Sequence, residues 1–500
     1  MFSYATPSVF RSEPQRATLG LSCDRGRPIR FEGRLLRDVP LVRFALRALG
    51  ELIWSSASEL RVLDPIVTAH PDALVLEAFS SDMSCYGRVD LDMSLFQVEG
   101  SALWGTTNVD FSTWLWSALG ELRSHRQTWF RLGASGFEVE TLGAGGQFQP
   151  RVEVPETWYR GFLEVQAALL QPGIRLQLNP VDLLAPIRFL RHKKARISPR
   201  AMRFIGEEGH WRIVLEPWEA EFPLSPQPLA SSGNVRCWGR QRLRFLEPLL
   251  PFARGAQVLL KGRGRPHFYQ VDLGSVQFFL GLTGWGGLGF SEDSGHSWLV
   301  GLARAVDERR LAERLEALQK GHLQALDPDW SEVDNQLVRR GLAMVEPDGR
   351  QLRYRPLSAE PLNLEALYPL SPQAELAASL RVEGLTCVAV ETRKIRRLRS
   401  PEGRDEQREL VFRDWSVTGD CWGEHEAVSG VQLTVSDRDR MLFGRCPCAF
   451  FQEHLLNRGP CAHLLALFEA SRELRVDGPS SRTLAEEDEP AGGEGEERDD

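Results

Sequence analysis

The stretch from Arg445 to Phe468, RCPCAFFQEHLLNRGPCAHLLALF, constrains this chain more than any other segment. It carries Cys446-x-Cys448, twelve intervening residues, then Cys461-x-His463. Two close pairs of soft-to-borderline donors, three thiolates and one imidazole, are what a tetrahedral structural Zn²⁺ with no open position requires. Residues i and i+2 of an extended segment share a side, so Cys446 and Cys448 can grip one ion while Pro447 stiffens the turn between them. Gly459-Pro460 reads as a turn into a helix whose buried face is Leu464, Leu465, Leu467 and Phe468. That puts Cys461 and His463 in its first turn, where the helix N-terminus favours a thiolate.

Chance clustering of core thiols is the competing reading, because cysteine packs as a small hydrophobe. Against it, three of the eight cysteines and two of the ten histidines fall within this one window. His454 lies mid-spacer without a paired cysteine and reads as a surface or packing residue. The other five cysteines are scattered, no Cys-x-x-Cys is present, and eight in 500 residues is no disulfide framework. One structural zinc bound by Cys446, Cys448, Cys461 and His463 is therefore the expected cofactor.

The pattern C-x-C, variable spacer, C-x-H, preceded by strands and followed by an apolar helix, resembles the SWIM zinc finger. The run from Gly459 to Ala466 is similar to its bacterial members. The resemblance implies zinc binding and a role in binding nucleic acid or protein, with no catalysis by the metal. Elsewhere, Gly105 to Ser112, Phe268 to Gly274 and Gly281 to Trp285 resemble stretches of bacterial SWIM-containing proteins. That family is associated with a MoxR-type AAA+ ATPase and a von Willebrand factor A protein. This implies, as an alternative function, an adaptor or recruiting subunit of such a system with no direct nucleic-acid binding.

The organisation expected is α+β and multidomain. Residues 1–300 form a large mixed body, with strands such as Asp72 to Glu77, Phe137 to Thr141 and Ser275 to Leu280. Helices are expected over Leu41 to Trp54, Trp158 to Leu170 and Val181 to Leu190, the last kinked or broken by Pro186. Residues 301–358 form a helix–hairpin, winged-helix-like module. In it Asp307 caps a helix carrying Leu311, Leu315 and Leu318, a second helix runs from Ser331 to Arg340, and a hairpin turns at Glu346 to Gly349. Residues 375–475 form a β-rich domain that ends in the finger, and 476–500 are a disordered acidic tail.

The net charge is −8, and the last sixteen residues account for all of it with nine acids and one arginine. The acidic balance therefore does not exclude a nucleic-acid partner for the rest. Two basic runs are candidates for phosphate contact, Arg188 to Arg203 and Arg393 to Arg399. In the winged-helix-like module, Arg339, Arg340, Arg350, Arg353 and Arg355 could touch a nucleic-acid backbone, but a purely structural role is favoured there because Glu332 and Asp334 do not suit a DNA groove. Gly284 to Gly289 matches G-x-G-x-x-G, yet Phe290 to Gly295 looks like a turn where a dinucleotide site needs a helix, so a plain glycine turn is expected. Asn108 and Asp110 read as a turn with a helix cap. No motif nominates a nucleophile or base, so a non-enzymatic protein is expected. No apolar run approaches the ~18 residues of a membrane helix, and the first residues lack a signal-peptide core, so a cytoplasmic location is expected.

Overall fold

The computed structural model describes residues 2–3, 5–54, 64–133, 151–152, 156–195, 200–227, 231–283, 289–290, 306–321, 323–359, 362, 364–367, 372–399, 405–423, 427–436, 441–455 and 460–475, with backbone alone at 2, 151–152, 156, 365–366, 391–399, 405–413 and 473. It is a mixed α/β protein with several sheets, none of which closes into a barrel among these residues. The expected strand at Phe137 to Thr141 and the acidic tail lie outside them, as does all of the glycine-rich loop but Gly289.

An eight-stranded antiparallel sheet is the frame. Its order is Ile174–Leu178, Gly255–Leu260, His267–Asp272, Val276–Leu282, Cys85–Asp92, Ala73–Phe79, Ile66–Ala69 and Gly105–Asn108. Its central strands are largely buried on both sides because both faces are covered. Successive residues of a strand point to opposite faces. On one side Gly87 lies under helix Val39–Ile53, where an added Cβ would come within 2.8 Å of Leu49. On the other side Tyr86 meets Phe162 of helix Glu156–Leu170, ring centroids 6.1 Å apart. A five-stranded sheet near the N-terminus and a four-stranded sheet over residues 202–237 flank this frame.

The expected helix forms as Pro180–His192 and runs through Pro186, so of a kink or a break there the break does not occur. The proline costs one backbone hydrogen bond. Buried Leu183, Pro186, Ile187 and Leu190 hold the helix, and Asp182 accepts from Asn179 N–H at 2.9 Å to close its start.

The two helices and the hairpin expected between Asp307 and Pro356 are present. Asp307 accepts from Arg309 N–H (2.9 Å) at the head of Glu308–Gln319, and helix Ser331–Arg339 is followed by Gly341 at φ 69°. Strands Ala343–Val345 and Gln351–Tyr354 pair, and a short third strand, Gln324–Ala325, joins them. Leu311, Leu318, Val333 and Leu337 share a core with Phe162 and Trp158 of helix Glu156–Leu170.

Buried ion pairs complete that union. Arg88 reaches Asp90 (2.6 Å) and Glu346 (2.8 Å), while Arg353 reaches Glu346 (2.7 Å) and Asp72 (2.5 Å). Burial opposes ionisation of Glu346, but Arg88 and Arg353 hold its carboxyl below the usual range. Removing one member strands charge in the interior. Arg88→Met should therefore destabilise the fold by about 3–5 kcal/mol, read as a lower denaturation midpoint with unchanged m-value. A variant within experimental error of wild type would refute the coupling.

Candidate metal centre

The C-terminal sheet has the order Arg381–Arg399, Asp405–Trp422, Ala427–Val435, Met441–Arg445, all antiparallel. Helix Ala462–Ala470 lies on one face of it. Two glycines permit the close approach, since a Cβ at Gly444 would meet Leu464 at 2.8 Å and one at Gly419 would meet Leu467 at 2.8 Å.

Each donor is placed by the end of an element. Cys446 follows the edge strand Met441–Arg445. Cys448 caps helix Ala449–His454 with extended dihedrals (φ −64°, ψ 152°), and its Sγ accepts from Phe451 N–H at 3.4 Å. Cys461, after Pro460, is the N-cap of Ala462–Ala470, and His463 lies in that helix's first turn. All four are buried, and their ligand atoms lie within 4.8 Å of one another. A tetrahedral ion with Zn–S bonds near 2.3 Å needs sulfurs about 3.8 Å apart, so an inward adjustment under about 1 Å brings all four into bonding reach. These four side chains form a Cys₃His cluster that can hold a metal ion.

The electrostatics fit a cation at the centre. The Cys446 thiol donates to the Cys461 sulfur, and this pulls Cys461 down to about 4, assisted by His463 and Leu464 N–H. The same hydrogen bond, with burial, pushes Cys446 up, and burial pushes Cys448 up. One thiolate is thus favoured and the next two are opposed by crowding and desolvation, which a divalent ion reverses. His463 Nδ1 is buried with no hydrogen-bond partner. Left so, it is a cost, and a metal bond relieves an unpartnered imidazole nitrogen.

His454 stands outside the cluster, its ring against Phe450 at 5.0 Å, in the packing role expected. Cys421 was not singled out from sequence, because only strand pairing brings it here. Its thiol donates to the His463 carbonyl (3.5 Å), and burial raises it to about 11, so it is a neighbour of the cluster. A depression of about 360 Å³ borders Cys446 and Pro447, with Gln432, Arg445 and Gln452 in its walls.

Several candidate contact residues are already engaged elsewhere. Among the described residues of the run from Arg188 to Arg203, some cations are engaged within the chain. Arg188 is exposed, Arg191 pairs with Glu247 (2.7 Å), and Arg203 is buried against Glu216 (3.2 Å) and Glu219. In the hairpin module Arg353 is held by Glu346 and Asp72. Arg355 is buried beside Glu77 at 3.3 Å, and Arg340 pairs with Glu308 at 2.6 Å. Asp334, noted as unsuited to a groove, is buried against Arg314 at 2.9 Å. Asp110 is not a helix cap: it accepts from Ser8 N–H at 2.8 Å, Ser112 caps the following helix, and Asn108 accepts from Arg27. Arg393 to Arg399 lie on strand Arg381–Arg399, where the backbone alone is described.

No family model matches this chain, and no curated protein matches it. Among solved structures, it is similar to the proliferating cellular nuclear antigen of Entamoeba histolytica, with TM-score 0.33 and 10% identity over 51% of this chain and 98% of that one. A structure of the C-terminal region of FEN-1 bound to A. fulgidus PCNA gives TM-score 0.34 and 12% identity over 51% and 97%. Among the described residues no helix is long and apolar enough to cross a membrane.

Because bonding free energy at such a site is folding free energy, Cys446→Ser or His463→Ala should abolish one equivalent of bound metal. Either should also expose residues ~440–470 to protease or hydrogen exchange. Full metal stoichiometry in either variant, by elemental analysis, would refute the site.

Proposed function

We propose that this chain is a zinc-binding protein of the SWIM type whose C-terminal module binds nucleic acid. The observation that carries the reading is the convergence of Cys446, Cys448, Cys461 and His463. Three thiolates and an imidazole select a soft-to-borderline ion and leave no open coordination position, which suits a structural Zn²⁺ and no metal-centred chemistry. When bound, the ion supplies cross-linking of the strand end at Cys446 to the helix that begins after Cys461.

Nucleic-acid binding is supported by charge placed on the same sheet. The run Arg393-Lys394-Ile395-Arg396-Arg397-Leu398-Arg399 belongs to the sheet's first strand, and exposed Arg445 ends its fourth. In the hairpin module Arg340, Arg353 and Arg355, and in the 188–203 run Arg191 and Arg203, answer carboxylates of the same chain.

Phosphate contacts release counterions, so affinity for nucleic acid should fall about tenfold or more across an about fourfold rise in salt. Fluorescence anisotropy of the zinc-loaded full chain with labelled oligonucleotides measures this. Absence of binding, or affinity indifferent to salt, would remove the reading.

A further inference from the structure

Arg88, Arg203, Arg353 and Arg355 are each answered by a carboxylate, whereas a group of three arginines beside helix Val39–Ile53 is not. Arg43 and Arg47 lie one turn apart on that helix. Arg123 follows the 3₁₀ turn Leu119–Glu121, which packs against it. All three side chains are half-buried.

Their heads converge. Arg43 donates from Nη1 to the Leu122 carbonyl at 3.1 Å. Arg123 donates from its own Nη1 to the same oxygen at 3.0 Å, and also to the Gly120 carbonyl. Two guanidinium groups therefore meet on one oxygen. Arg47 joins them at Gly120, where its Nη1 lies 2.7 Å from the place a Cβ would take. The Arg47 guanidinium carbon is 5.6 Å from the centroid of the Trp116 ring, and Trp116 Nε1 donates to the Arg47 carbonyl at 3.1 Å, which holds the ring beside it.

Among the described residues no carboxylate pairs with any of the three. Glu51 stands one turn beyond Arg47, and Glu121 stands between the two carbonyls, yet neither forms an ion pair with them. Like charges one turn apart on a helix repel. Burial, then the charges of Arg123 and Arg47, hold the Arg43 guanidinium below its usual range. Arg47 makes no hydrogen bond among the described residues, so the five donors of its fork are open.

Cations often cover the last carbonyls of a helix, and that role accounts for Arg123 and for part of Arg43. It does not account for Arg47, which bonds no carbonyl, nor for like charges gathered where a single donor would satisfy Leu122. An anion lying over the group removes the repulsion and takes up the open donors. Phosphate suits the place better than a carboxylate. Three guanidinium forks present more donors than two coplanar carboxylate oxygens accept, and a tetrahedral dianion offers oxygens in several directions.

We infer that Arg43, Arg47 and Arg123 form a binding site for a phosphate group, carried by inorganic phosphate or by a phosphate monoester such as a nucleotide. Arg43 and Arg123 grip the group as a pair, and Arg47 supplies the third fork. The site uses none of the metal donors and does not rest on the nucleic-acid reading of the C-terminal module.

The test is isothermal titration of the metal-loaded full chain with inorganic phosphate and, separately, with adenosine 5′-monophosphate, at one ionic strength held with chloride. One or both should bind with a stoichiometry of one, and the tighter of the two names the source of the phosphate. Arg47→Gln should weaken binding about tenfold or more, the loss expected for a hydrogen bond between charged groups. Arg47→Lys should restore binding only in part, because an ammonium keeps the charge and lacks the planar fork. Arg47 bonds nothing that holds the turn, so both variants should keep the wild-type circular dichroism and bound metal. If neither phosphate nor the monophosphate binds above the chloride background, or if Arg47→Gln binds as tightly as wild type, the site is overturned.

Discussion

Three sulfurs and an imidazole gathered within 4.8 Å form a cluster that can hold a metal ion at the junction of the elements of the C-terminal module. Its core is lean: Trp415, Val417, Val431, Leu433, Leu464 and Leu467 do most of the packing, and Cys446, Cys448 and Cys461 are themselves part of it. Small modules with so few large apolar groups lean on a cross-link. The donors sit at the ends of the last strand, of a six-residue helix and of the helix that covers the sheet. An ion among them would therefore tie these three elements together. The module is also anchored to the rest of the chain, because Arg472 donates to the Arg263 carbonyl (3.3 Å) and Arg263 donates to that of Arg475.

Arginine is the second organising theme. Only five of the 60 basic residues are lysine, so guanidinium groups are used inside as well as outside. Arg88, Arg203, Arg236, Arg353 and Arg355 are buried with carboxylate partners. A planar fork with several donors can satisfy two carboxylates at once, and Arg88 and Arg353 do so with Glu346 between them. Such networks specify which surfaces meet, at a desolvation cost recovered only when every member is present. They account for why much of the arginine in the hairpin and in the 188–203 run is not available to an external phosphate.

The metal donors are legible in the sequence without any fold, since three cysteines and a histidine at two short spacings suit little chemistry besides metal binding. Helix Glu156–Leu170, the cap at Asp307, and the hairpin after Ser331–Arg339 are legible too, because local periodicity and capping chemistry are written within a few residues. At Pro186 the local rule allows a kink or a break, and packing of Leu183 and Ile187 keeps the helix continuous despite one lost hydrogen bond. Asp110 misleads, because its partner, Ser8, lies 102 residues away.

Sequence alone thus determined the donor set, its division into two pairs and the helix that carries the second pair, all consequences of spacing along one short segment. Tertiary structure alone decided which arginines are spent on internal carboxylates and that Cys421 neighbours the cluster. Those facts depend on strand register and on pairings between residues far apart in the chain. A shift of one position would send every side chain of a strand to the opposite face without changing a letter of the sequence.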